Sequence, residues 1–159
     1  AEQLVAAVVA SGKPFLCVAS NNDPGSDQIM AQIRKAQGPL LKIVPSIRFE
    51  MFSRILRNAR VVVGNSSLGV REAPFLGIAS INIGTRQLRR SAAPSITNLP
   101  ADQVADVADA ITANWGRHFE PSASFGKGAS REQFRAVIQD PAFWQFQRQK
   151  LFFDDAAVT

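Results

Sequence analysis

Residues 61–76, VVVGNSSLGVREAPFL, place polar groups where a buried strand gives way to a helix. Three β-branched residues run into Gly64-Asn65-Ser66-Ser67, and an acid, Glu72, follows. Two neighbouring hydroxyls can donate to an anion. If they open a helix, the unpaired N–H groups and partial positive charge of its first turn add to that attraction. Gly64 and Gly69 allow close backbone approach. A carboxylate at 72 would repel a phosphate it faced, yet it can accept hydrogen bonds from two adjacent hydroxyls, as a ribose presents them. Plainer readings stand beside these: serines cap many helix starts, and a helical glutamate is an ordinary surface residue. Taken together, the residues read as a phosphate seat with a sugar clamp behind it.

Arg86, in NIGTRQ after the next strand, falls at the same edge of the sheet. Its guanidinium can reach a phosphate through paired, charge-assisted hydrogen bonds. Arg89 and Arg90 read as solvated neighbours. Phe52, on the helix before residue 61, is spaced for the core but can also present its ring to a nucleobase; periodicity does not choose between them. The one histidine, His118, reads as a surface residue. No grouping of His, Cys and carboxylates has metal-ligand spacing, so neither a metal nor another cofactor is implied.

Positioning these side chains requires alternating strands and helices. The spacing predicts a helix over 2–11, a strand over 15–19, and a helix capped by Ser26 and running to about 37. A strand follows over 40–44, then a helix over 49–59 and a strand over 60–63. A helix from Ser67 to just before Gly77 comes next, then strands over 78–83 and 95–97. Pro100 fits the first turn of a helix carrying Val104, Val107 and Ile111. Ser130 caps a further helix, and Asp140-Pro141 starts a last one, rich in aromatics (Phe143, Trp144, Phe146, then Phe152 and Phe153). Such alternation implies βαβ crossovers, hence a Rossmann-like α/β domain: a parallel sheet of about five strands with helices on both faces. In open sheets of this kind, ligands bind beyond the carboxyl ends of the strands, where the serines and Arg86 fall. Residues 1–159 read as one domain with 130–159 as a helical tail, which packs on its own domain or crosses to another.

The totals bound the function. At 159 residues, 46% hydrophobic and 19% charged, the chain can bury a core and is not disordered. Cys17, the single cysteine, lies in an apolar run and reads as a small buried hydrophobe. No apolar run reaches the roughly 18 residues a membrane helix needs, and the N-terminus lacks the basic start of a signal peptide, so the expected setting is cytoplasmic and away from membranes. Net charge is +5. That suits an anionic partner, but the aromatics sit mainly at core-like positions, so a small phosphorylated ligand is expected rather than nucleic acid.

GNSSLGVREAPFLG followed by INIGTRQ is similar to the signature of UDP-N-acetylglucosamine 2-epimerases, especially the hydrolysing kind that supplies sialic-acid-type sugars. SNNDPGSD matches the family's Asn-x-Asp-x-Gly-Ser turn, and the Gly126-Lys127-Gly128 turn resembles its Gly-Asp-Gly near the C-terminus. The resemblance covers about residues 1–130. It implies the C-terminal, nucleotide-binding half of a glycosyltransferase-B architecture. Ser66 and Ser67 would then meet the diphosphate, Glu72 the ribose, Phe52 the uracil and Arg86 the arginine-loop contact, with Asn21 facing the cleft. The implied ligand is UDP or UDP-GlcNAc. The reaction is elimination of UDP followed by addition of water to give ManNAc, or its non-hydrolysing counterpart giving UDP-ManNAc. The family's catalytic carboxylates and hinge histidine belong to an N-terminal domain, so this chain is expected to bind and not to turn over; a homodimer is compatible. Arg89 stands where the family often has glycine, and Lys127 where it has an acid. Two rivals accompany this reading: a UDP-sugar glycosyltransferase half and a non-catalytic nucleotide-binding domain.

Overall fold

A computed structural model describes residues 2–19 and 25–145. The chain divides into two compact units, Ala1–Phe125 and Gly126–Thr159. In the first, helix α1 (Glu2–Ala10) leads to strand β1 (Phe15–Val18), helix α2 (Ser26–Lys35), strand β2 (Leu41–Val44) and helix α3 (Phe49–Arg57). Strand β3 (Val62–Gly64), a 3-10 turn (Ser67–Gly69) and helix α4 (Glu72–Phe75) follow. Strands β4 (Ser80–Ile83) and β5 (Ile96–Leu99), a second 3-10 turn (Val104–Asp106) and helix α5 (Val107–Asn114) complete the unit.

All strand pairings are parallel, and five strands form, in agreement with the alternating pattern. They are hydrogen-bonded as two groups, however, β1-β2 and β3-β4-β5, rather than as one sheet. β3 has only three residues and offers little edge for a further ladder. The groups are joined instead by side chains: Phe15 of β1 packs against the core cluster beneath β3–β5 and meets Trp115 edge-on, with ring centroids 5.9 Å apart.

β4 is buried along its whole length, and its alternation assigns the layers. Ile81 and Ile83 join Val61, Ala79, Val107 and Ile111, with Leu4, Ala7 and Val8 of α1 packed against them. On the opposite face Val62 and Leu68 pack with Leu56, Ala73 and Ile78. Helices therefore cover both faces of the three-stranded sheet. Cys17 is half-buried, and desolvation raises its thiol pKa above the ordinary value.

Several boundaries differ from the expected ones for local reasons. Ser26 is the first helical residue of α2 rather than its cap; Gly25, left-handed at φ 86°, holds the cap position. The Gln103 N–H bonds the Pro100 carbonyl at 3.1 Å, closing a turn, so the helix expected from Pro100 begins only with the 3-10 turn at Val104. In the second unit, α6 (Ser130–Gln139) has Ala129, not Ser130, at its cap. Asp140 does start the next element by accepting from the Ala142 N–H at 2.9 Å, but that element, Pro141–Gln145, is 3-10.

Candidate functional site

The largest local departure lies at the serines. The continuous helix expected from Ser67 is instead a three-residue 3-10 turn followed by a separate four-residue helix. Pro74 explains the break. Its ring would clash with the Val70 carbonyl in an unbroken helix, and it has no N–H to give that carbonyl. The short pieces carry little helix dipole, so the anion attraction expected from a long helix is much reduced.

The N–H groups of the turn are also largely occupied. Leu68 N–H bonds Ser66 Oγ at 3.3 Å, Gly69 N–H bonds the Ser66 carbonyl at 3.1 Å, and Val70 and Arg71 N–H both bond the Ser67 carbonyl. Ser66 is therefore a cap, as the plainer reading had it. Its oxygen accepts one hydrogen bond, and its own proton is still available to donate. Ser66 is exposed and Ser67 half-buried, so neither hydroxyl is sealed in the core. The free donors of this turn are thus the hydroxyls more than the backbone.

Two glycines shape this loop. Gly64 ends β3 at φ 144°, a conformation that side-chain-bearing residues rarely adopt. Gly69 sits against β4: a β-carbon there would lie 2.6 Å from Ser80 Oγ. Ser80 is 1% exposed, and its Oγ has no hydrogen-bond partner among the described residues. The turn can lie this close to the sheet only because residue 69 has no side chain.

Glu72 is exposed and opens α4, on its own helix rather than farther along the serines' helix. Phe52 is half-buried and packs with the Leu56–Ala73–Ile78 cluster. The core role read for it is thus met, and part of its surface remains accessible. Arg86 is exposed in the loop after β4. Arg89 is exposed too, and is the single non-glycine with positive φ (61°) among the described residues. His118 is exposed, as expected, its backbone forming an isolated bridge with Ile78. Asn21 lies outside the described residues, as do Phe146, Phe152 and Phe153.

Gln87 is the residue that sequence reasoning passed over. Its neighbour Arg86 drew attention because it carries charge, whereas Gln87 is a neutral amide in a polar loop. Yet it is only 3% exposed. Its Nε2 donates to the Asn65 carbonyl at 3.0 Å, and its Oε1 accepts from Arg90 Nη1 at 2.8 Å. Through it the serine loop and the arginine loop are physically connected at the carboxyl edge of β3 and β4. Arg90 is exposed, as expected, and this one bond ties its guanidinium to Gln87. Among the described residues no group of three or more His, Cys, Asp or Glu side chains could hold a metal ion, and no helix is long and apolar enough to cross a membrane.

Comparison with known proteins gives consistent results. A family model described as UDP-N-acetylglucosamine 2-epimerase matches residues 1–139, past the point where the signature motifs end. The chain is 38% identical over 159 residues to a UDP-N-acetylglucosamine 2-epimerase of Neisseria meningitidis serogroup B, covering 97% of this chain and 42% of that protein. It is 34% identical over 94 residues to the polysialic acid biosynthesis protein P7 of Escherichia coli, covering 58% of this chain and 24% of that one. It is 26% identical over 99 residues to the UDP-N,N'-diacetylbacillosamine 2-epimerase (hydrolyzing) of Legionella pneumophila, covering 62% of this chain and 26% of that one. The chain thus spans less than half the length of the relatives it matches. With the motifs, the α/β layering and the family model in agreement, the chain belongs to the UDP-N-acetylglucosamine 2-epimerase family.

Proposed function

We propose that this chain is the UDP-binding half of a UDP-N-acetylglucosamine 2-epimerase. The reading is supported most by one observation: within a family match over residues 1–139, the exposed serine loop is hydrogen-bonded through Gln87 to the loop bearing Arg86. Ser66 and Ser67 donate to the diphosphate, Arg86 balances its charge, Glu72 accepts from the ribose hydroxyls, and the accessible part of Phe52 stacks on the uracil. Asn21 is assigned to the sugar by the family resemblance alone.

In the reaction, a base removes the proton from C2 of the sugar while the bond from C1 to the UDP oxygen breaks, leaving a glycal-like intermediate. The negative charge that develops on the departing diphosphate is stabilised by fixed donors already in place. Addition of water gives ManNAc; re-addition of UDP gives UDP-ManNAc. We favour the hydrolysing outcome, because the Gly-Asn-Ser-Ser and Gly-Thr-Arg-Gln motifs resemble that branch. The groups that move protons are not among the motifs of this chain, which on its own binds without turnover.

Titration calorimetry of the 159-residue chain with UDP, uridine and inorganic pyrophosphate tests the assignment. UDP binding tighter than either fragment is expected. A folded chain that ignores millimolar UDP would overturn it. Proton NMR of UDP-GlcNAc incubated with the longer gene product then tells free ManNAc from UDP-ManNAc.

A further inference from the structure

The serine loop and the arginine loop come from different strands, and each has exposed residues, Asn65 and Ser66 on one and Thr85 and Arg86 on the other. Loops of this kind are mobile unless something buried holds them. Gln87 is such a group: a neutral side chain, almost wholly buried, with both ends of its amide engaged. A buried amide is costly unless satisfied, so its hydrogen bonds favour one relative placement of its partners. Nε2 fixes the Asn65 carbonyl, one residue before Ser66, and the backbone of Gln87 is continuous with Arg86. The Nε2 bond therefore sets the separation of Ser66 and Ser67 from Arg86. The second bond, from Arg90, holds the amide the right way round: an arginine can only donate, so it selects Oε1 and directs Nε2 toward the carbonyl.

From this geometry we infer that Gln87 is a positioning residue for diphosphate recognition, a clasp that keeps the hydroxyl donors and the guanidinium on one ligand. Arg90 acts through it, orienting the amide rather than touching the phosphate. The ligand class, a nucleoside diphosphate, rests on the function proposed above; the clasp between the loops rests on the two hydrogen bonds alone.

Two substitutions separate the parts. Gln87→Met keeps the length and apolar bulk and removes both bonds. Gln87→Glu keeps the acceptor for Arg90 but turns a carboxylate oxygen toward the Asn65 carbonyl. Hydrogen exchange on the ligand-free chain should show faster exchange over residues 64–70 in both variants, while β4, buried beneath, keeps its protection. Arg90→Met, which leaves the Nε2 bond possible, should have a smaller effect on the same segment.

For binding, Gln87→Met should weaken UDP about tenfold, the scale of one lost positioning hydrogen bond, and should leave uridine affinity within about twofold. A second substitution, Arg86→Ala, should then cost less in the Gln87→Met background than in the wild type, because the guanidinium is no longer aligned. Additive losses, unchanged exchange at 64–70, or equal weakening of UDP and uridine would each overturn the clasp. If the wild type binds no UDP, the proposed function fails, and the exchange measurement still decides whether Gln87 couples the loops.

Discussion

The two hydrogen-bonded groups of strands differ in how they are covered. β4, at the centre of the three-stranded group, has every residue buried, with Ile81 under α1 and α5 and Ser80 under the serine turn. β1, in the two-stranded group, alternates half-buried and exposed, with Leu16 at 41% and Val18 at 37%. The serine loop leaves β3, whose residues are half-buried, and the loop bearing Arg86 and Gln87 leaves β4, the buried strand of the same group. A platform closed on both faces can hold short loops at fixed separations, as simultaneous contact with one diphosphate requires. The serine and arginine loops follow strands of the three-stranded group, not of the β1–β2 ladder.

The sharpest way to break that contrast is to hollow out each platform. Ile81→Ala removes a fully buried side chain from β4 and should cost about 2–5 kcal/mol of unfolding free energy. Leu16→Ala on β1 should cost under about 1 kcal/mol, because much of the side chain is already in water. Chemical denaturation of the two variants measures both, and equal losses would remove the distinction between the groups.

A second test probes how tightly the serine turn lies on β4. Gly69→Ala forces a β-carbon against Ser80 Oγ where neither atom has room, and about 1–3 kcal/mol of stability should be lost. Ser80→Ala alone removes a buried hydroxyl without a described partner and should be neutral or slightly stabilising. In the double variant the nearest remaining neighbours, Ser80 Cβ and Val62 Cγ1, are 3.8 and 3.9 Å away, so most of the loss should be recovered. A double variant no more stable than Gly69→Ala would mean that something other than this contact excludes a side chain at 69.

Smaller effects sharpen the site itself. Glu72→Ala should weaken UDP roughly five- to tenfold, the scale of one ordinary net hydrogen bond, and leave pyrophosphate affinity unchanged in calorimetry. Equal losses would remove the ribose role. The smallest effect concerns Cys17 on β1. Burial raises its thiol pKa, so less thiolate is present near pH 8 and iodoacetamide should react more slowly than with the denatured chain. Mass spectrometry of timed samples follows it, and equal rates would show that β1 is more open than its half-buried state implies.

The order of strands and helices was legible because apolar periodicity repeats with a clear alternation of 2 and 3.6, and each expected strand lies within a few residues of an observed one. The serine loop was legible because Gly64 and the paired hydroxyls interrupt a β-branched run. Pro74 is visible in the sequence, but the periodicity of Leu68, Ala73 and Leu76 suits one long helix, while the ring clash that divides it is a backbone effect. Ser26 and Ser130 have the residue type of caps, but a cap is defined by backbone angle, and the preceding residues, Gly25 and Ala129, hold it. Gln87 ends the INIGTRQ motif, but its burial left no pattern to read, since it arises from the folding of two loops.

What the sequence determined alone was local and periodic: α/β alternation, the polar end of β3, and motifs specific enough to indicate a family. Those depend on neighbours along the chain, whose spacing is visible in one dimension. The tertiary structure alone decided which distant groups meet: the division of strands into two ladders, Ser80 pressed under Gly69, and an amide of one loop bonded to a carbonyl of another, 22 residues earlier. Hydrogen bonds and close packing act over a few ångströms in space, and only the folded chain sets those distances.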